Sequence, residues 1–181
     1  MQVISHHVNK LSQKADELLK VYSNKIDRKT IDNRIDWHSY FLRLAQQVST
    51  RSSDSQTKHG AIIVNDDHEI VATGYNGVLR DIDNYQLPNQ RPEKYCWHIH
   101  AEANSILSCA RQGKSTLNTT IYVTGEPCIN CYQYIWQSGI KRVIFGQQNS
   151  HMHDEEMLTK IELFKFLTQL TILEIKVDKE P

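Results

Sequence analysis

Residues 120–145 read TIYVTGEPCINCYQYIWQSGIKRVIF, and the order of residue types along them decides the fold. Thr120-Ile121-Tyr122-Val123-Thr124 is a strand, a helix is predicted to open at Cys128 and close at Gly139, and Arg142-Val143-Ile144-Phe145 is a second, buried strand. Working upstream, Ala103, Ile106, Leu107 and Ala110 recur at helical steps and mark a helix that carries His100 and Glu102 in its first turn and finishes at Gly113. Before it, Val78 to Trp97 has no usable period and holds Pro88 and Pro92, the pattern of a long surface loop, and loops of that length in compact domains are often functional. Ala61-Ile62-Ile63-Val64 and Ile70-Val71-Ala72-Thr73 flank the turn residues Asn65-Asp66-Asp67-His68 and form a hairpin pattern, which Gly74-Tyr75-Asn76-Gly77 then breaks.

Further out, Asp36 is placed to cap a helix with an apolar face of Trp37, Tyr40, Phe41, Leu44, Ala45 and Val48, stopping near Arg51-Ser52-Ser53-Asp54. Val8, Leu11, Ala15, Leu18, Leu19 and Tyr22 give a separate amphipathic helix, ended by Asp27-Arg28-Lys29-Thr30. Downstream, Asp154 caps a helix through Leu158, Ile161 and Phe164, and Leu173, Ile175 and Val177 alternate as a last strand. Strands interleaved with helices after an initial hairpin predict an α/β protein, a three-layer α/β/α sandwich with a mixed, roughly five-stranded sheet. The expected organisation is an N-terminal helical extension over 1–33 and one main domain over 34–181.

Bulk properties exclude several classes. At 181 residues and 39% hydrophobic the chain suits one substantial core. Lys plus Arg and Asp plus Glu both number 21, so no basic field announces a nucleic-acid partner, while a small charged ligand is compatible. No apolar run approaches the ~20 residues of a membrane span, and the segment Met1 to His7 lacks the regions of a secretory signal, so a soluble, cytoplasmic protein is expected. Of four cysteines, Cys128 and Cys131 have metal-ligand spacing, leaving Cys96 and Cys109 as reduced thiols.

The chemistry concentrates in His100-Ala101-Glu102 and Pro127-Cys128-Ile129-Asn130-Cys131. One imidazole and two thiolates form a zinc-type set that leaves a fourth tetrahedral position for water, and Glu102 is near enough to exchange protons with that water without ligating. Both segments fall where strands give way to helices. Helix-start amides favour thiolates there, and the Cys128 N–H is free to stabilise a tetrahedral centre. A purely structural zinc would need a fourth protein ligand, for which His98 and Cys96 are the nearby candidates, and it would have no use for Glu102.

This H-x-E…P-C-x-x-C arrangement is the signature of zinc-dependent nucleobase deaminases. Over about residues 36–177 the chain resembles the deoxycytidylate (dCMP) deaminases of the zinc-dependent cytidine deaminase superfamily. The matching pieces are HAEAN, PCINC, Arg51-Ser52, His59-Gly60-Ala61-Ile62-Ile63-Val64, Gly74-Tyr75-Asn76-Gly77, Ile121-Tyr122-Val123-Thr124 and Ser138-Gly139-Ile140. The resemblance implies a cytidine deaminase-like fold and one zinc ion on His100, Cys128 and Cys131. It also implies Glu102 as the catalytic acid and base, and hydrolysis of dCMP to dUMP and ammonia, feeding thymidylate synthesis. Asn76 is expected at the sugar and Arg51 at the 5′-phosphate; Ala101, Cys128 and His151 complete the substrate site. A homo-oligomer, dimer or hexamer, and a Mg2+-bound nucleotide effector are further implications. His59 reads either as a pocket residue or as a partly exposed group at the start of a strand, and His98 as a substrate contact or a loop histidine.

Alternatives on the same fold are a tRNA adenosine deaminase, whose Glu-Pro-Cys form appears at Glu126-Pro127-Cys128, and a dCTP-accepting deaminase. Neutral charge counts against the tRNA reading. In a different class stands an inactive zinc-binding scaffold.

Overall fold

The computed structural model describes residues 2–27, 33–147 and 155–177. The chain divides into two compact units, residues 1–35 and 36–181. In the first unit, α1 (Gln2–Ser23) is the expected amphipathic helix, and the Ser23 hydroxyl donates to the Lys20 carbonyl in its last turn at 2.8 Å. The second unit carries the remaining helices and all the strands among the described residues.

Asp36 caps α2 (Trp37–Ser49): its carboxylate accepts from the amides of His38 at 2.9 Å and Ser39 at 3.0 Å, two donors with no partner inside the helix. The hairpin forms as β1 (Gly60–Val64) and β2 (Ile70–Tyr75), paired antiparallel. After it come β3 (Gly77–Val78), a single 3₁₀ turn (Glu93–Cys96), β4 (His98–Ile99) and α3 (Ala101–Gln112), which ends on Gly113 at φ +66°, a conformation suited to glycine. The decisive stretch becomes β5 (Thr120–Val123), α4 (Ile129–Gln137) and β6 (Arg142–Phe145), and the chain closes with α5 (Glu155–Thr168) and β7 (Thr171–Glu174).

The sheet order is β2-β1-β5-β6-β7, antiparallel on the hairpin side and parallel for β5-β6-β7. Alternation across the pleat sends neighbouring side chains to two different cores. Ala61 and Ile63, Ile121 and Val123, and Val143 and Phe145 pack under α3, α4 and α5. Ile62 and Val64, Tyr122 and Ile144 face Phe41, Leu42 and Ala45 of α2. This is the expected three-layer sandwich on a mixed five-stranded sheet. Gly74 sets how close α3 lies to β2, because a Cβ there would collide with the Ala101 carbonyl and the Ser105 amide.

Three expectations shift. The last strand is Thr171–Glu174, earlier than the Leu173-Ile175-Val177 alternation suggested: β7 is a half-exposed edge, and Ile175 and Val177 pack beyond it on the α2 side of the sheet. Gly77 and Val78 do not simply end a strand but pair with Ile99 and His98 in a second, two-stranded sheet, a ladder too short to leave a period in sequence. The aperiodic loop before His100 contains the 3₁₀ turn, which buries Lys94. The Asp154 cap lies outside the described residues.

Candidate active site

His100 is the N-cap of α3 and Cys128 the N-cap of α4; each carbonyl accepts the first intrahelical bond, from Asn104 at 2.9 Å and Tyr132 at 3.0 Å. Cys131 follows in the first turn of α4. Because α3 and α4 pack side by side, their starts converge, and His100 Nδ1 lies 3.6 Å from Cys128 Sγ and 3.5 Å from Cys131 Sγ. A tetrahedral ion with Zn–N near 2.05 Å and Zn–S near 2.3 Å separates such donors by about 3.6 Å, so the donor set fits zinc in chemistry and in span. These three are the one group among the described residues whose His, Cys, Asp or Glu atoms gather closely enough for a metal, all within 4.8 Å of one another. Cys131 is buried, Cys128 half-buried and His100 exposed, so the cluster has a sealed side and an open one.

At Cys128 the electrostatics match that role, while hydrogen bonding to Cys128 raises His100 to about 9 and pushes the Cys131 thiol up, so a metal has to displace their protons. The Cys131 thiol hydrogen-bonds Cys128, and with His100 beside it this brings the Cys128 thiol down to about 4, against the opposing effect of burial. A thiolate at neutral pH is what a metal requires. Glu102, 5% exposed, is pushed up by desolvation, which outweighs the attraction of His100. A carboxyl raised in this way gives and takes protons more readily near neutral pH.

One pocket is lined by His100, Ala101, Glu102 and Cys128 together with Asn76. It is lined as well by residues that the sequence left unassigned: Asp54, Thr57, Arg91 and Lys94. The Lys94 ammonium donates to Asp54 Oδ2 at 2.6 Å, and both side chains are 4% exposed. Asp54 Oδ1 accepts from the Gln56 and Thr57 amides at 2.8 and 3.1 Å. Burial raises the Asp54 carboxyl, but the Lys94 hydrogen bond and those amides outweigh it and leave the group below its usual range. Asn76 is clamped into the same network. Its Oδ1 accepts from the His59 amide at 2.7 Å, and its Nδ2 donates to Asp54 at 3.2 Å and to the Thr57 carbonyl at 2.8 Å. Arg91 donates to Thr57 Oγ1 at 2.8 Å.

Glu126 also lines the pocket, and its Oε1 accepts from the Tyr132 hydroxyl at 3.3 Å and from Lys165 of α5 at 3.1 Å. His59 lines the pocket half-buried, its ring 3.2 Å from the Thr124 hydroxyl, and His98 lines it too. Arg51, by contrast, lies on a separate cavity with Arg80, Asp81 and Asn84, and His151 falls outside the described residues. Nothing in composition or period marked Lys94 or Asp54. The one signal was the length of the aperiodic segment that holds Lys94.

Residues 35–147 match the family model described as "Cytidine and deoxycytidylate deaminase zinc-binding region". The human deoxycytidylate deaminase is 32% identical over 144 residues, covering 76% of this chain and 80% of that protein. The probable deoxycytidylate deaminase of Caenorhabditis elegans is 36% identical over 142 residues, covering 75% of this chain and 71% of that one. The dCMP deaminase of cyanophage S-TIM5, solved with dCMP and dUMP, superposes with a TM-score of 0.61 at 23% identity, over 75% of this chain and 94% of that one, and shares the fold. With its paired helix starts carrying one histidine, two cysteines and a buried glutamate inside the matched span, this chain belongs to the cytidine and deoxycytidylate deaminase zinc-binding family.

Proposed function

We propose that this protein hydrolyses dCMP to dUMP and ammonia, with His100, Cys128 and Cys131 holding zinc and Glu102 moving the protons. The observation that carries the reading is Glu102: a buried carboxyl, two residues from a ligand, that lines the pocket and is not needed to hold the metal. When bound, zinc supplies a water acidified to roughly neutral pKa and a positive charge at the reacting carbon. Glu102 takes a proton from the attacking water, places it on N3 of the cytosine ring, and delivers the next to the departing amino group, so that dCMP and water leave as dUMP and ammonia. The Cys128 amide, at a helix start where N–H groups lack intrahelical partners, donates to the tetrahedral centre. Ala101, fully buried at the pocket floor, lets the ring approach the α3 backbone.

The relatives named deoxycytidylate deaminase support this substrate, and so does Arg91, an exposed cation that lines the pocket. It supplies positive charge for a 5′-phosphate. Arg51, on another cavity, is less suited to that task in this structure. To the same reading belong a homo-oligomer, a cytoplasmic setting and regulation by a Mg2+-bound nucleotide. No described helix is long and apolar enough to cross a membrane. Ammonia release from dCMP, dCTP, CMP, deoxycytidine and tRNA with zinc-loaded protein tests the proposal: dCMP should be turned over best, and activity confined to tRNA would remove it. Sedimentation, and turnover with dCTP or dTTP plus Mg2+, test the assembly and the regulation.

A further inference from the structure

The apolar side chains of α1 stand in solvent. Leu18, Leu19, Val21 and Tyr22 are 47, 66, 53 and 59% exposed, and every described side chain of residues 12–27 and 33–35 is exposed, so this unit has no core of its own among the described residues. Helices in proteins draw most of their stability from packing an amphipathic face, and α1 therefore needs a cover. The spacing along it says which kind. Ile4, Val8, Leu11, Ala15, Leu18 and Tyr22 follow one another at steps of 4, 3, 4, 3 and 4 residues, a 3.5-residue period carried along a 22-residue helix. That seam is narrower than the stripe by which a helix packs on a globular core, and it is what two supercoiled helices share. By contrast α2, which does pack on the sheet, has the broader pattern Trp37, Tyr40, Phe41, Leu44, Ala45 and Val48.

The residues on and beside the seam select the occupant. In heptad terms Val8, Ala15 and Tyr22 are a positions, and Ile4, Leu11 and Leu18 are d positions. A β-branched residue at a with leucine at d favours two parallel strands. The flanking e positions are Ser5, Ser12 and Leu19 and the g positions His7, Lys14 and Val21, so Lys14 is the one Lys, Arg, Asp or Glu beside the seam. In a parallel, in-register pair of identical helices Lys14 meets Leu19 of the other copy, and no like charges oppose. The antiparallel pair in which all six seam residues meet sets Lys14 against Lys14, a repulsion that disfavours it. A membrane surface is the poorer cover, because α1 has no Trp, Phe or Arg and places Asp16 and Glu17 among its lysines.

We propose that α1 is an assembly surface, pairing in parallel with α1 of a second copy of this chain through Ile4, Val8, Leu11, Ala15, Leu18 and Tyr22. These residues lie outside the span 35–147 that carries the deaminase match, so the pairing stands or falls apart from the proposed activity. Disulfide capture in the whole, zinc-loaded chain tests it. Leu18→Cys puts a thiol in the seam, Gln13→Cys puts one on the opposite face, and wild type gives the background from the native cysteines. Under a glutathione redox pair, Leu18→Cys should form covalent dimer about tenfold faster than Gln13→Cys or more, because pairing holds the two thiols at millimolar effective concentration. Peptide mapping should join position 18 of one copy to position 18 of the other. Adding Leu11→Glu to the Leu18→Cys chain should bring the rate down to the Gln13→Cys value at unchanged zinc content. Equal rates for the two cysteine variants, or a rate that Leu11→Glu does not change, overturns the inference. So does co-sedimentation of wild type with phosphatidylcholine and phosphatidylserine vesicles that Leu11→Glu abolishes. Turnover of dCMP enters none of these readouts, so loss of the pairing leaves the activity standing and absence of turnover leaves the pairing standing.

Discussion

The two ends of the pocket are built by different means. At the metal end, His100, Glu102, Cys128 and Cys131 all sit at or within the first turn of two helices, so their geometry follows from local capping and from α3 packing beside α4. At the other end, Asp54, Asn76 and Lys94 come from a loop, the junction after β2 and the 3₁₀ turn, and are held by hydrogen bonds that span 22 and 40 residues. The first end is rigid because its elements are rigid. The second is rigid only because a buried carboxylate has gathered donors around it, so the two should fail differently when cut.

The largest effect is expected at the metal end. Cys131→Ala removes a ligand from the sealed side of the cluster, and metal analysis should show loss of stoichiometric zinc with turnover below detection. Full activity at unchanged zinc content would show that the cluster does not hold the catalytic metal. At the other end, Asp54→Asn leaves the buried Lys94 ammonium without a counter-charge, and denaturant unfolding of the zinc-loaded protein should show a loss of about 3–5 kcal/mol. A loss under 1 kcal/mol would mean that the network is not what fixes this wall.

A smaller effect separates the two arginines. Arg91→Met should raise KM for dCMP by about tenfold, the scale of a charge-assisted contact, with kcat little changed; the corresponding change at Arg51 should raise it less than twofold. The reverse order would return the phosphate to Arg51. The smallest effect concerns acid. Because the folded protein holds the Asp54 carboxyl below its unfolded value near 4, its contribution is complete above that pH and is lost as pH falls through the lower, folded value. Unfolding free energy should therefore fall more steeply below about pH 4 in wild type than in Asp54→Asn. Parallel profiles would contradict the paired, ionised Asp54.

The same contrast explains what could be read from the sequence. Asp36 as a cap, Gly113 as a helix end, the hairpin and the strand-helix-strand of residues 120–145 are short-range patterns, and each formed within a residue or two of its expected place. The metal cluster was legible for the same reason, since Cys128 and Cys131 announce themselves by spacing and His100 by its distance from Glu102. The Lys94–Asp54 pair was not, because a lysine in an aperiodic segment carries no sign of burial until the chain has folded over it. The same holds for β3 and β4, two residues each. Asn76 was visible as a turn residue, but its amide proved to bind the His59, Asp54 and Thr57 segments together.

The most direct test compares dUMP formation from dCMP by wild type and Glu102→Gln at equal zinc content. The glutamine should keep the metal and lower kcat by about 10³-fold or more, as expected when a positioned proton carrier is removed. Near-normal turnover by the zinc-loaded glutamine variant, or no dUMP from zinc-loaded wild type, would contradict the account.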